Sequence, residues 1–332
     1  MPNRRVTALM ASALVLAASV ALAQSPSPAA SPSTSVSPLT VEGKLDPKVI
    51  QQQTQTFVQS YAATPNPNVD QIARWHDPVC VNVLGLPRAD QAAAIKARIE
   101  GAAQAVGLRA ARKGCKANVE IAFTAQPQAM MDLIAKDREQ LLGYEHRAKR
   151  DQLKMVTHPI QAWYSTATRG EGHDNGKTFA THYDAFGKPM YLPREGDAAE
   201  VADDPENPAP TACQNPSAFS ACLESEFSHV FIVADAKQLK GKDLNTLSDY
   251  LVMLALSQPQ SLDYCNVLPS VLDLLTILPC AGRAAPDGLT ASDGAYLTAL
   301  YASNPQAIKA GELTDIAGRM AKLLIQASAS GQ

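Results

Sequence analysis

Six histidines, His76, His146, His158, His173, His182 and His229, are the side chains of this chain best suited to move a proton near neutral pH or to hold a metal. No two of them are four residues apart with a glutamate between, so the HExxH arrangement of zinc hydrolases is absent. His158, His173 and His182 form the suggestive group. They bracket an expected strand and a glycine-rich turn, GEGHDNG, with Asp174 and Asp184 nearby. Three imidazoles from neighbouring strands could bind zinc and leave a fourth position open for water. Exposed hairpin histidines would read the same way.

Other chemistry finds less support. There is no GxSxG elbow to expose a serine nucleophile. Glu224 and Glu226 could act as a carboxylate pair on a glycoside, but such pairs also recur by chance in a chain with 32 acids. RGEGHDNG lacks the lysine–hydroxyl pair and the following helix of a phosphate loop, and reads as a turn. Residues 245–258 read as a helix with Leu247, Leu251, Leu254 and Gln258 on one face. Asp249, Tyr250 and Met253 cluster on another face and are expected to line a shared pocket. A carboxylate, a phenol and a thioether make a poor zinc set, so no metal and no cofactor are expected there.

Elements able to position these residues alternate along the chain. An N-capping Asp46 followed by Pro47 opens a helix with Val49, Ile50, Phe57, Val58 and Tyr61 on one face. Strands are expected over 78–84, 118–124, 159–166 and 229–235. Helices are expected over 90–106, ended by Gly107, and from Pro127 through Leu142. Further helices are expected over 245–258, 267–278, 292–302 and 305–327. The order predicts an α/β (α+β) fold with a mixed sheet, packed helices and a helical C-terminal part. Residues 46–258 form the α/β domain, interrupted by a long Gly-, Pro- and acid-rich insertion over 170–216, and residues 259–332 pack on it as the helical part.

The first residues give an address. Arg4 and Arg5 precede an apolar run over 6–22, and Ala21-Leu22-Ala23 is a signal-peptidase site, predicting a leader over 1–23 cleaved before Gln24. Residues 24–45 follow as a Ser/Pro-rich tether with almost nothing to bury. No later apolar run is long enough to cross a bilayer, so the mature chain is expected to be soluble and periplasmic or secreted. In that oxidising compartment the even set of cysteines predicts three sequence-local disulfides, Cys80–Cys115, Cys213–Cys222 and Cys265–Cys280. A formal net charge of −3, with only Arg109, Arg112, Lys113 and Lys116 clustered, argues against nucleic acid as a partner.

Three phrases, RWHDPVCVNVLGLP, ANVEIAFTAQPQAMMDLI and LNTLSDYLVMLALSQ, resemble a family of uncharacterised exported bacterial proteins in which a late strand feeds a helix of the form L-x-D-Y-x-x-M-x-A-L. The resemblance spans residues 72–301 and implies no activity. More distantly, the element order resembles the zincin metalloproteases. On that comparison Asp249, Tyr250 and Met253 stand where the first histidine, the glutamate and the second histidine would be, implying a zincin-like scaffold without its metal. The function this implies is a non-enzymatic binding or assembly module, meeting an envelope protein or ligand at a cleft between the 245–258 helix and the 170–216 insertion. The rival is a periplasmic hydrolase, metal-dependent or not, using His158, His173 and His182.

Overall fold

The computed structural model describes residues 46–63, 71–143, 151–170, 179–183, 189–193 and 223–330. The expected leader and tether lie outside them, as do His146, His173, Asp174, Asp184, Cys213 and Cys222. The strands are β1 (Val81–Leu84), β2 (Val119–Thr124), β3 (Ile160–Gly170), β4 (Phe179–Tyr183), β5 (Pro189–Pro193) and β6 (Leu223–Asp235). They form one sheet in the order β1-β2-β6-β3-β4-β5. β1, β2 and β6 are mutually parallel, and β3, β4 and β5 extend the sheet antiparallel from β6. The fold is therefore mixed α/β, as the alternation of elements predicts.

Helix α1 (Pro47–Tyr61) begins where Asp46 accepts a hydrogen bond from the backbone N–H of Lys48 at 2.9 Å. Helix α2 (Ala89–Ala105) buries Ile95, Ile99 and Ala103, the expected stripe. It closes at Gly107, whose φ of 95° lets its N–H reach the carbonyl of Gln104, while Leu108 N–H reaches Ala103. Lys96 and Glu100 of α2 also bind the carbonyl and the N–H of Val81, blocking part of the β1 edge. Helix α3 (Pro127–Asp137) stops earlier than expected and is followed by a 3₁₀ turn over Glu139–Leu142. Arg138 leaves the helical region at φ −143°, and Gly143 passes so close to the Tyr164 carbonyl that a Cβ there would lie 2.6 Å from its oxygen.

Two differences fall in the second half. The 170–216 insertion contains β4 and β5, short strands whose five-residue runs are too brief to stand out among Gly, Pro and acids. Residues 267–278 do not form a helix. Only the 3₁₀ turn Val271–Leu275 forms, because Pro269 and Pro279 bound the segment and Asp273 turns back onto Asn266 and Ser270. Helices α4 (Leu244–Leu256), α5 (Ala291–Ala302) and α6 (Lys309–Ser330) follow, and the described residues from Asp46 to Ser330 form one compact unit.

The β2-β6-β3 part of the sheet is covered on both faces. On one, Ile121, Val230 and Ile232 pack with residues of α1, α2, α4, α5 and α6. On the other, Ala122, Trp163, Phe231 and Val233 pack with Met131 of α3 and Leu142. A register shift in β6 opposite Ser165 and Thr166 leaves Ser228 unpaired in the ladder, so that both Phe227 and Val230 reach the larger core.

Candidate functional site

Every residue from Thr246 to Leu256 of α4 is buried. A helix apolar on all sides belongs inside a core, and its ends must then be satisfied by protein rather than water. Asp243 accepts from the N–H of Thr246 at 2.9 Å, capping the N-terminus. At the C-terminus Met253 O accepts from the Ser257 hydroxyl (2.7 Å), Leu254 O from the Tyr164 hydroxyl (3.0 Å), Ala255 O from the Trp75 indole N–H (2.7 Å) and Leu256 O from the Tyr301 hydroxyl (2.8 Å). Three distant segments, contributing Trp75, Tyr164 and Tyr301, thus pin one helix end together with its own cap residue Ser257.

This placement decides what the three expected pocket residues touch. Asp249 accepts from Arg98 Nε of α2 and, at 2.9 Å, from the N–H of Leu289. Tyr250 and Met253 are fully enclosed. The Tyr250 hydroxyl has no hydrogen-bond partner, and burial raises its pKa above the ordinary phenol value. Asp249 is a strut between α2 and the segment leading into α5, while its two neighbours are packing residues.

His158 lies at the entry to β3. Its Nδ1 is 2.9 Å from the Thr157 hydroxyl, and its Nε2 is 3.1 Å from Asp263 Oδ1. Asp263 Oδ2 accepts from the Ser261 hydroxyl at 3.0 Å. His182 lies on β4, at the register position opposite Met190 of β5. Among the described residues no group of three His, Cys, Asp or Glu side chains is placed to hold a metal. Two His–carboxylate pairs that spacing alone did not suggest are His76–Glu224, at 3.2 Å, and His229–Glu120, at 3.6 Å. Glu224 is engaged by His76 and by Gln306 Nε2, and Glu226 is buried.

Four residues beyond Asp263 begins the segment that the sequence read as a helix, over 267–278. Cys265 and Cys280 are bonded, as are Cys80 and Cys115, both as expected. Inside the loop, Asp273 Oδ1 accepts from the N–H and the amide of Asn266, both at 2.9 Å. Arg283 Nη2 donates to the Asn266 carbonyl at 2.5 Å, and Nη1 stands 3.7 Å from Asp273 Oδ2. Asp293 of α5 closes the base, accepting from the Ser270 hydroxyl at 2.7 Å and the Val271 N–H at 2.8 Å. Burial pushes the Asp293 carboxyl above the ordinary carboxylate range despite these bonds.

The loop so fixed buries Val271 and Leu272 in the core and leaves four other apolar side chains outward. Tyr264 is 77 % exposed, Leu278 72 %, Ile277 68 % and Val267 44 %. Beside them lies a concavity of about 560 Å³, walled by Leu274, Ile277, Pro279, Arg283 and Pro286. Spacing did not reveal this surface, because the same residues carry the apolar pattern of a buried helix. The flanking prolines and the Cys265–Cys280 pair were the available signal.

Fold and site together define a disulfide-bonded mixed α/β protein with a rigid, apolar, outward-facing loop. Compared with family models, curated proteins and solved structures, the chain finds no match.

Proposed function

We propose that the chain is an exported, non-enzymatic binding or assembly module of the bacterial envelope, and that its contact surface is the stapled loop over residues 264–286. The observation that carries this reading is the exposure of Tyr264, Val267, Ile277 and Leu278 around one disulfide. Large apolar side chains held in water cost free energy unless a partner covers them, and several of them displayed on one fixed loop favour an interaction site. Burying Ile277 and Leu278 would contribute on the order of 1–2 kcal/mol each. Because the loop is held by a disulfide and by Asp273, little ordering entropy opposes binding. The leader over 1–23 supports export, and the two disulfides suit an oxidising compartment. On this reading the zincin-like order is a scaffold whose metal-bearing helix has become the core helix α4.

The rival hydrolase draws on the Thr157–His158–Asp263 array, a hydroxyl, an imidazole and a carboxylate in hydrogen-bonding sequence. Both ring nitrogens are occupied by near neighbours, and Asp263 is bonded in turn to the Ser261 hydroxyl just ahead of the loop. The array therefore reads as a clasp.

Purified wild-type chain and the double variant Ile277→Asp/Leu278→Asp, each immobilised, distinguish the readings when exposed to envelope extract. Loss of retained protein with the loop variant, but not with Leu133→Asp on α3, supports the module. Equal retention by all three, together with labelling of Thr157 by an active-site hydrolase probe, favours the enzyme.

A further inference from the structure

We infer that the occupant of the stapled loop is a second copy of this chain, the two loops packing about a two-fold axis. The inference rests on the reading of the loop as a contact surface, and adds what covers it.

Shape is the first argument. An isologous contact requires a surface that is its own complement. Here three exposed apolar side chains, Tyr264, Ile277 and Leu278, and a concavity of about 560 Å³ lie on the same excursion of chain, and Ile277 both stands exposed and lines the concavity. The exposed side chains of one copy can enter the concavity of the other while its own concavity receives the partner's.

Charge is the second. Between residues 264 and 286 the only ionisable acid and base are Asp273 and Arg283, and these face each other at 3.7 Å. Within the loop itself two copies bring no unpaired charge together, and the acids Asp263 and Asp287 stand at its two ends rather than among its apolar side chains. The formal net charge of −3 on a chain of 332 residues keeps the longer-range repulsion weak as well.

Area is the third. The four outward side chains present on the order of 500 Å² of apolar surface, as large as the biggest patch a monomer ordinarily exposes. With these side chains fully covered, two copies would bury at most about 1,000 Å² together, at the lower bound for a specific interface. The expected association is therefore reversible, with Kd in the micromolar range.

Sedimentation velocity of the full disulfide-bonded chain across the micromolar range tests this. The wild type should pass from monomer to dimer, Ile277→Lys/Leu278→Lys and Tyr264→Lys should stay monomeric, and Leu133→Lys should dimerise as the wild type does. A wild type that stays monomeric, or loop variants that dimerise unchanged, overturn the inference. If the wild type is monomeric yet the loop variants lose envelope partners, only the second-copy inference falls. If they keep those partners, the contact-surface reading falls too. Loop-dependent binding of a monomeric wild type to phosphatidylcholine vesicles would instead assign the loop to a lipid surface and also overturn the dimer.

Discussion

The indole N–H of Trp75 donates to the carbonyl of Ala255 at 2.7 Å, joining residues 180 positions apart at the C-terminal end of α4. A carbonyl at a buried helix end has no water to turn to, so its satisfaction depends on this one side chain. Trp75→Phe should cost about 2–4 kcal/mol, combining a lost buried hydrogen bond with a cavity. Tyr164→Phe removes only a hydroxyl from Leu254 and should cost about 1 kcal/mol. Denaturant melts of the two variants check the order.

Tyr250 and Tyr296 give the opposite expectation. Both hydroxyls are buried without a hydrogen-bond partner, so each carries a desolvation cost that nothing offsets. Tyr250→Phe and Tyr296→Phe should leave stability unchanged or raise it by up to about 1 kcal/mol, whereas Tyr61→Phe, which breaks the 2.9 Å contact with Ser257, should lower it by about the same amount. Thermal melts separate the two kinds of tyrosine. Because Tyr250 is enclosed, its phenylalanine variant should also bind envelope partners as the wild type does.

Asp293 links stability to pH. Burial raises its folded-state pKa above the unfolded carboxylate value of about 4, so the folded chain holds this proton more tightly than the unfolded chain. The stability it contributes is fully present below the unfolded pKa and is lost as pH rises through the folded one. Asp293→Asn turns an amide N–H toward the donors of Thr290 or Val271 and should cost about 2 kcal/mol. Chemical denaturation as a function of pH should show the gap between wild type and variant narrowing from pH 4 to pH 8; a gap that widens would contradict the assignment.

The Cys265–Cys280 staple should matter more for the loop than for the core. Replacing both by serine removes a crosslink across a separation of 15 residues, worth about 3 kcal/mol in the chain-entropy account. Hydrogen exchange should quicken over residues 264–286 while α4 remains protected, and binding through the loop should weaken.

The parts of this fold that periodicity and capping describe were legible in the sequence. Ile95, Ile99 and Gly107 marked α2 and its end, Val119, Ile121 and Phe123 marked β2, and the local spacing of Cys80–Cys115 and Cys265–Cys280 gave the right pairings. The site was not legible. Asp249, Tyr250 and Met253 share a helical face in projection, yet α4 is enclosed on every side, which depends on Trp75, Tyr164 and Tyr301 arriving from distant positions. Residues 267–278 carry an apolar helical pattern, but Asp273 spends its carboxylate on Asn266 and Ser270, and Ile277 and Leu278 are left outside. Long-range hydrogen bonds made both decisions, and no local pattern encodes them.

The central claim is that the stapled loop is where this protein is touched by its partner. A photo-crosslinking amino acid placed at Leu278, with a second chain carrying it at the similarly exposed Leu133 of α3 as control (62 % against 72 %), reads that contact directly in the cell. The account predicts a discrete adduct of higher mass from position 278 and none from 133. No adduct at 278, or adducts of equal yield at both positions, would contradict it.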